Sequence, residues 1–252
     1  MRELENLTIV DDSRDQCVYL SDQTARMPLC LPPGPLSPEQ LDRLLAHGYR
    51  RSGWYFYRTR CPSCSACQPL RIDVDLFKPS RSQRRANQRG EKQLRVEFGL
   101  PTLDSRRLDL FNQHRQVRQL ARNERPVGPE DYRGFLLNSF ADVGELSLWF
   151  DDLLVGVSIT DIGQKSLSAV YCFFDPAYSH LSIGTYAILQ QIFLARQTNR
   201  QWLYLGMYVA NNSHLNYKSK FGPHEKWIGG RWQSSLGGMD GIGLPIHDPS
   251  GE

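Results

Sequence analysis

The sequence lacks several features that would place it among membrane, secreted or disordered proteins. The chain of 252 residues has no run of about 18 consecutive apolar residues, so no membrane-spanning helix is predicted. Its start has neither the basic residues nor the apolar stretch of a signal peptide, so we expect a cytoplasmic protein without a membrane partner. Repeats and low-complexity segments are absent. The 40% hydrophobic and 23% charged content is typical of a globular chain.

A large net charge is also absent, but the charge that exists is concentrated in one region. The chain has 30 Lys and Arg against 27 Asp and Glu, for a net charge of +3. Residues 50–95 hold twelve of these bases and three acids, whereas residues 101–252 are close to neutral. A local positive field on a balanced protein predicts a polyanionic partner that docks at one place.

Cysteine is scarce and clustered. Three of the six cysteines lie in residues 61–67 at the spacing C-x2-C-x2-C, which can direct several thiolates to one metal ion. The predicted metal ligands are Cys17, Cys61, Cys64 and Cys67, because Cys30 lies inside a proline-rich linker and Cys172 inside a strand. Structural zinc is one possibility and an iron–sulfur cluster is the other. A redox disulfide and unligated thiols remain open alternatives.

A basic helix is predicted over residues 80–95. Its cations recur at helical spacing and share one face, where they repel one another unless a phosphate backbone neutralises them. Arg50 and Arg51 stand before the aromatic residues 54–57, which could stack on unpaired bases. The alternative is a solvated charged face. The predicted RNA-binding residues are Arg50, Arg51, Arg81, Arg84, Arg85, Arg89 and Lys92.

The remaining patterns predict an α+β fold around a mostly antiparallel sheet. A proline-rich linker precedes a short helix that begins at Ser37 and ends at Gly48. Strands are expected at 49–59, 70–77, 146–150, 153–161, 166–174 and 202–206. Helices are expected at 105–123, 129–138, 182–198 and 211–221. We divide the chain into a Cys-rich basic unit at 1–100, a larger unit at 101–236 and a frayed tail at 237–252.

One segment of the larger unit could present backbone N–H groups to an anion or an ester oxygen. The strand that ends at Phe174 is followed by a turn and by a helix that opens near Gly184. Close packing alone is an equally simple reason for a glycine at that position.

Taken in order, these motifs resemble those of the aminoacyl-tRNA–protein transferases, and most of all the bacterial leucyl branch. The segments that carry the resemblance run from about Cys17 to Trp232. They are 17–20, 48–53, 57–71, 77–85, 167–171, 182–186, 204–206 and 216–218.

The resemblance implies a Cys-bearing N-terminal domain joined to an acetyltransferase-like (GNAT) domain, and no nucleotide cofactor. It also implies transfer of an amino acid, leucine in the bacterial branch, from charged tRNA to proteins that begin with Asp or Glu. The product would carry a degradation signal. The related enzymes that transfer arginine suggest arginyl-tRNA as an alternative donor.

The implied reaction is attack of a protein α-amine on the ester of aminoacyl-tRNA. The predicted catalytic groups are the backbone around Gly184, with Tyr217 or Lys218 as a second donor to the oxyanion. Arg58 and Arg71, with Tyr204 beside them, are the predicted contacts of the acidic acceptor.

Two functions of other classes compete with this one. An acetyltransferase would need backbone donors for a pyrophosphate, typically two close glycines before the helix, and residues 179–184 contain one glycine. A non-enzymatic zinc-dependent RNA-binding protein would leave the larger unit without a role.

Overall fold

The computed structural model describes residues 6–118 and 125–235. The strands are β1 Thr8–Asp11, β2 Arg14–Gln16, β3 Thr24–Arg26, β4 Leu29–Leu31, β5 Arg50–Ser52, β6 Tyr55–Tyr57, β7 Gln68–Asp73, β8 Arg95–Gly99, β9 Val143–Phe150, β10 Leu153–Ile162, β11 Ser166–Phe174, β12 Trp202–Tyr208, β13 Glu225–Ile228 and β14 Arg231–Ser234. The α-helices are α1 Pro38–Ala46, α2 Arg81–Gln93, α3 Ser105–Val117, α4 Pro129–Tyr132 and α5 Ile183–Gln197. A π-helical turn covers Arg133–Leu137, and 3-10 helices cover Pro176–Leu181 and Asn216–Lys220.

An eight-stranded mixed sheet forms the centre of the molecule, in the order β14-β13-β7-β12-β11-β10-β9-β8. All its neighbours are antiparallel except β11 and β12. The predicted mixed, mostly antiparallel sheet flanked by helices is therefore confirmed. Within the described residues, no helix combines the length and the apolar character that crossing a bilayer requires.

A smaller four-stranded sheet, β1-β4-β6-β5, and the two-stranded β2–β3 pair are built from the N-terminal region. The main sheet also takes strands from this region, because β7 pairs with both β12 and β13, and β8 pairs with β9. A division at residue 100 therefore cuts through one hydrogen-bonded sheet.

Local sequence signals explain where α1 and α2 begin. The Ser37 side chain accepts a hydrogen bond from the backbone N–H of Gln40, and the Gln40 side chain accepts one from the backbone N–H of Ser37. Ser80 and Gln83 form the same reciprocal pair at the start of α2. Each capping box satisfies two backbone N–H groups that would otherwise have no partner. The predicted start of α1 at Ser37 is confirmed.

Helices cover both faces of the main sheet. Ile188 and Ile192 of α5 pack on Leu203 and Leu205 of β12. Side chains alternate across a strand, so Tyr204 faces the other way and packs with α1. On the side of α3, Leu110 and Phe111 contact Val157, Ile159 and Phe173. The main sheet is therefore covered on both faces, and its central strands are held in place by the packed helices.

The structure corrects one predicted helix and adds strands that were not predicted. The helix predicted over 211–221 is a 3-10 helix over Asn216–Lys220. It lacks a side-chain cap and none of its residues is fully buried, so core packing does not stabilise a longer helix. The β13–β14 hairpin and β8 were not predicted. The end of the helix predicted over 105–123 and the tail at 237–252 lie outside the described residues.

Candidate active site

The site begins where two neighbouring strands stop pairing. β11 and β12 are parallel, and they pair only through Ser166–Ser168 and Trp202–Tyr204. Beyond these residues β11 stays paired with β10, and β12 stays paired with β7. The pairing of β12 with β7 shifts register at Gly206, whose φ of 77° is in the left-handed region that favours glycine. The sheet therefore opens at its centre.

A cavity of about 1950 Å³ occupies this opening. Its walls include residues 169–172 of β11, 205–207 of β12 and 182–185 at the start of α5. Nine Lys and Arg side chains line it, against three Asp, among the residues that the structure describes. The excess of cations makes the cavity suited to an anionic ligand.

The start of α5 faces the cavity as predicted. Ser182 precedes the helix with φ 59° and ψ 42°, and no side chain caps the first backbone N–H groups. A Cβ on Gly184 would lie 3.4 Å from the Phe174 ring, at the limit of an ordinary contact. The N–H groups beside Gly184 are available to an oxygen that carries negative charge.

Tyr217 and Lys218 lie on the 3-10 helix and line the same cavity as Gly184. The Lys218 Nζ donates a hydrogen bond to the Met207 backbone oxygen at 2.8 Å. Burial, and the charge of Arg50, lower the pKa of Lys218 to about 7. Burial, and the nearby Cys172 thiol, raise the pKa of Tyr217 to about 12, so its hydroxyl group keeps its proton. The structure therefore brings the three predicted catalytic positions to one cavity.

Arg50 lies inside this cavity and not on an outer surface. The residue is only 3% exposed. Its Nη1 donates to the Tyr49 backbone oxygen at 2.5 Å, and its guanidinium lies 5.0 Å from the centre of the Tyr204 ring. Nε and Nη2 have no hydrogen-bond partner among the described residues. Burial lowers the pKa of Arg50 to about 10.

Arg51 has a structural role in place of the predicted RNA contact. Its Nε donates to Asp161 Oδ1 at 2.7 Å, and its other nitrogens donate to the backbone oxygens of Gly53, Leu136 and Asn138. The two charged side chains are 1% and 0% exposed. Because all three guanidinium nitrogens donate within the protein, the prediction for Arg51 is corrected.

The predicted acceptor contacts also lie elsewhere. Arg71 pairs with Glu225 at 2.6 Å and is held between the rings of Trp202 and Trp232, at 3.7 and 4.2 Å from their centres. Tyr204 is 2% exposed and accepts from Arg71 at 3.4 Å. Arg58 donates to the His47 backbone oxygen. None of these three side chains lines the described cavity, so the structure does not bring them to the site.

The predicted RNA-binding helix α2 packs against α5 with its cations outward. Arg81, Arg84, Arg85 and Lys92 are exposed. Arg89 is partly buried and donates to Ser182 Oγ at 2.9 Å, directly before α5. Arg85 and Arg89 also line the cavity. The basic face of α2 therefore continues into the site.

A second group of cations on the cavity wall was missed by the sequence reasoning. Arg115 and Arg118 stand at the end of α3, and Arg125 follows in the next described segment. Arg118 Nη2 lies 3.4 Å from His214 Nδ1. The spacing of Arg115 and Arg118, three residues apart on a helix, is the signal that could have identified them.

The four predicted metal ligands are free thiols that share one region. Burial raises the pKa of the Cys67 thiol to about 12, and Cys17, Cys61 and Cys64 raise it further. Their donor chemistry suits zinc or an iron–sulfur cluster. In the described part of the chain, however, no group of three or more Cys, His, Asp or Glu is arranged to hold a metal ion. The thiols as placed do not form a completed site.

Comparison with known proteins assigns the chain to a family. Two family profiles match it, arginine-tRNA-protein transferase N terminus over residues 15–85 and C terminus over 106–228. An aspartate/glutamate leucyltransferase of Aeromonas hydrophila is 39% identical over 88% of this chain and 92% of its own. The chain belongs to the aminoacyl-tRNA–protein transferases. Similar leucyltransferases occur in Vibrio campbellii, at 34% identity over 92% and 98% of the two chains, and in Halorhodospira halophila, at 36% over 90% and 97%.

Among solved structures, this transferase is similar to L-PGS from Bacillus licheniformis, with a TM-score of 0.44 and 16% identity over 68% of this chain and 51% of that one. FemX gives a TM-score of 0.41 at 9% identity, covering 66% and 59%. A GCN5-related N-acetyltransferase from Kribbella flavida gives 0.33 at 10%, covering 63% and 56%.

Proposed function

We propose that this transferase moves leucine from leucyl-tRNA to the N-terminal Asp or Glu of proteins, as a mark for degradation. The observation that carries the proposal is 39% identity, over nearly the whole of both chains, to a protein named aspartate/glutamate leucyltransferase. Its reaction site is the cavity between β11 and β12.

The cavity wall favours leucine over arginine as the transferred group. Ile188 and Leu205 contribute apolar surface beside the opening, as do Met207 and Phe221. Among the described residues, the carboxylates that line the cavity are Asp11, Asp15 and Asp131, and none lies on α5, β11 or β12. An arginyl side chain would need an acidic partner at this wall, whereas a leucyl side chain gains from apolar contact.

The chemistry requires alignment more than a strong base. The α-amine of the acceptor attacks the ester carbonyl carbon, an amide bond forms, and the bond to the tRNA ribose oxygen breaks as that oxygen takes a proton. An α-amine has a pKa of about 7.7–8.0, so a useful fraction is neutral at cytoplasmic pH. Correct alignment of the two reactants can contribute about 7–11 kcal/mol.

Gly184 and Tyr217 are the proposed donors to the oxyanion. The backbone N–H groups at the start of α5 have no side-chain cap, and the Tyr217 hydroxyl group keeps its proton to high pH. Lys218, the third predicted group, donates one N–H to the Met207 oxygen and has others left for a ligand. Loss of one such donor typically lowers kcat by about 100- to 1000-fold.

The tRNA would reach the cavity across the basic face of α2. Arg81, Arg84, Arg85 and Lys92 offer exposed cations to phosphates, and Arg89 continues this face to the start of α5. Arg115 and Arg118 at the end of α3 also line the cavity and would hold the acceptor end of the tRNA.

A metal ion is a separate proposal for the cysteine region. Cys17, Cys61, Cys64 and Cys67 would supply the thiolates for structural zinc or an iron–sulfur cluster after a local rearrangement. Elemental analysis of protein purified without chelator tests this, together with the Cys67→Ser variant. Near-stoichiometric zinc or iron that is lost in the variant supports the site, and absence of both metals rejects it.

A cytoplasmic location without membrane attachment completes the proposal. The supporting observations are the free thiols and a reaction that consumes aminoacyl-tRNA, which is made where proteins are synthesised.

The deciding experiment offers purified protein three charged tRNAs, carrying leucine, arginine or phenylalanine. The acceptors are peptides that differ only in a first residue of Asp, Glu or Asn, and products are identified by mass. We expect the mass of one leucine residue to be added to the Asp and Glu peptides. Arginine addition in place of leucine, or modification only by acetyl-CoA in a parallel reaction, would overturn the proposal.

A further inference from the structure

Two basic side chains of the cavity wall, Arg50 and Lys218, have no acidic partner among the described residues. Arg50 is 3% exposed and leaves two guanidinium nitrogens without a partner among the described residues. The groups that influence its charge are Tyr204, Tyr57 and Arg71, and none of these is a carboxylate. A buried guanidinium is normally paired with an anion, as Arg51 is with Asp161.

Lys218 is the second cation. Its amine is anchored on the Met207 oxygen, and a Cβ built on Gly206 would lie 3.5 Å from its Nζ. The guanidinium charge of Arg50 also lowers the pKa of Lys218, because it disfavours the protonated amine. Within the described residues, no Asp or Glu contributes to the charge state of Lys218. Arg50 and Lys218 thus form a basic pair that lacks a counter-charge, and a bound anion would favour the protonated amine.

A ligand that brings a carboxylate would supply this counter-charge. Lys218 is partly exposed and Arg50 is buried, and both line the cavity, so a ligand would reach the pair from inside the cavity. A phosphate backbone needs an open groove, and the exposed cations of α2 already provide one. A single carboxylate can accept hydrogen bonds from an ammonium and a guanidinium group at once.

We propose that Lys218, supported by Arg50, binds the side-chain carboxylate of the acceptor's first residue and so determines the preference for Asp and Glu. This inference rests on the proposed function. It assigns to these two residues the recognition that the sequence had suggested for Arg58 and Arg71, which are engaged elsewhere.

The test compares Asp-initiated and Asn-initiated peptides of otherwise identical sequence, because they differ in the charge of the acceptor side chain. Lys218→Met removes the charge and keeps most of the length of the side chain, and Lys218→Arg keeps the charge. Lys165→Met, at an exposed lysine of the β10–β11 turn, is the matched control. Each variant is assayed for kcat/KM with both peptides and for thermal unfolding.

We expect Lys218→Met to lower kcat/KM for the Asp peptide by about 10- to 100-fold, with little change for the Asn peptide. Lys218→Arg should keep the preference, and Lys165→Met should behave as the wild type. An equal loss with both peptides would overturn the inference and place Lys218 at the reacting atoms. A weaker affinity for tRNA with unchanged discrimination would also overturn it, in favour of a nucleic-acid contact.

Calorimetric titration of the two peptides, without tRNA, separates this inference from the proposed function. Tighter binding of the Asp peptide that depends on Lys218 supports the anion site whichever amino acid is transferred. If wild-type protein transfers no leucine but shows this binding, the proposed function fails and the site stands. If leucine is transferred and the binding preference survives Lys218→Met, the site fails and the function stands.

Discussion

Arg51 Nε lies 2.7 Å from Asp161 Oδ1, and both side chains are almost completely buried. The two residues are 110 positions apart in sequence. Arg51 belongs to β5 of the small sheet and Asp161 to β10 of the main sheet, so one ion pair joins the two sheets. The ion pair therefore fixes β5, which carries Arg50, beside the cavity.

We expect Arg51→Met to lower the free energy of unfolding by about 3–5 kcal/mol, because it leaves the Asp161 charge buried without a partner. Urea denaturation, followed by circular dichroism, measures this change. The double variant Arg51→Met/Asp161→Leu removes both charges and should recover much of the loss. A double variant that is less stable than the single one would show that the pair itself provides the stability.

Arg81 and Arg85 test the RNA-binding role of α2. Replacing both with Gln should reduce the slope of log affinity for tRNA against log salt by roughly 1.4–1.8, since each phosphate contact contributes about 0.7–0.9. The same change should slightly stabilise the free protein, because the two charges repel across one helical turn. Filter binding over a salt series measures the slope.

The control for this pair is Arg231→Gln, which removes an exposed cation from the edge strand β14. Its salt slope should equal that of the wild type. An unchanged slope in the α2 variant would assign its cations to a solvated surface.

Gly90 tests how closely α2 must approach α5. A Cβ at this position would lie 2.4 Å from the Tyr186 ring. Alanine favours a helix interior over glycine by about 1 kcal/mol, yet we expect Gly90→Ala to destabilise the protein by about 1–3 kcal/mol, because the two helices would be forced apart. Gly134→Ala, where nothing lies within 4 Å of the added carbon, is the matched control and should not destabilise it. Thermal unfolding of the two variants decides between these effects.

The parts of the fold that depend on short-range chemistry could be predicted from the sequence. Ser37 sets the start of its helix through a reciprocal hydrogen bond three residues away, which is visible in the sequence. The insertion of β7 between β12 and β13 depends on partners more than 120 residues away, so no local pattern indicates it. The β13–β14 hairpin did have a local signal that was overlooked. Gly229 and Gly230, both with positive φ, form its turn.

Within the candidate site, sequence reasoning can locate an element whose shape depends on neighbouring residues. It cannot locate a side chain whose contacts depend on a distant partner. The start of α5 follows from a strand, a turn and a helix in sequence, and it lies on the cavity. Arginines cannot be assigned in this way, because the partner of Arg71 is Glu225, 154 positions later. The long, flexible side chain of an arginine can reach an ion pair, an aromatic ring or solvent, and only the folded chain decides among them.

His114 links stability to pH. It is 4% exposed, and its Nδ1 lies 3.1 Å from the backbone oxygen and 3.2 Å from the backbone nitrogen of Phe174. Burial lowers its pKa to about 4, below the value of about 6.5 in an unfolded chain. The unfolded state therefore binds more protons between these two values. The stabilisation is complete above pH 6.5 and is lost as the pH falls towards 4.

We therefore expect the free energy of unfolding to fall by about 2 kcal/mol between pH 7.5 and pH 5.0 through this residue alone. His114→Gln keeps a polar side chain that does not titrate, so its stability should fall by that much less over the same interval. Because His224 has a pKa lowered in the same direction, the informative quantity is the difference in pH dependence between the variant and the wild type. Equal pH dependence of the two proteins in urea titrations would show that His114 is protonated in the folded state as readily as in the unfolded one.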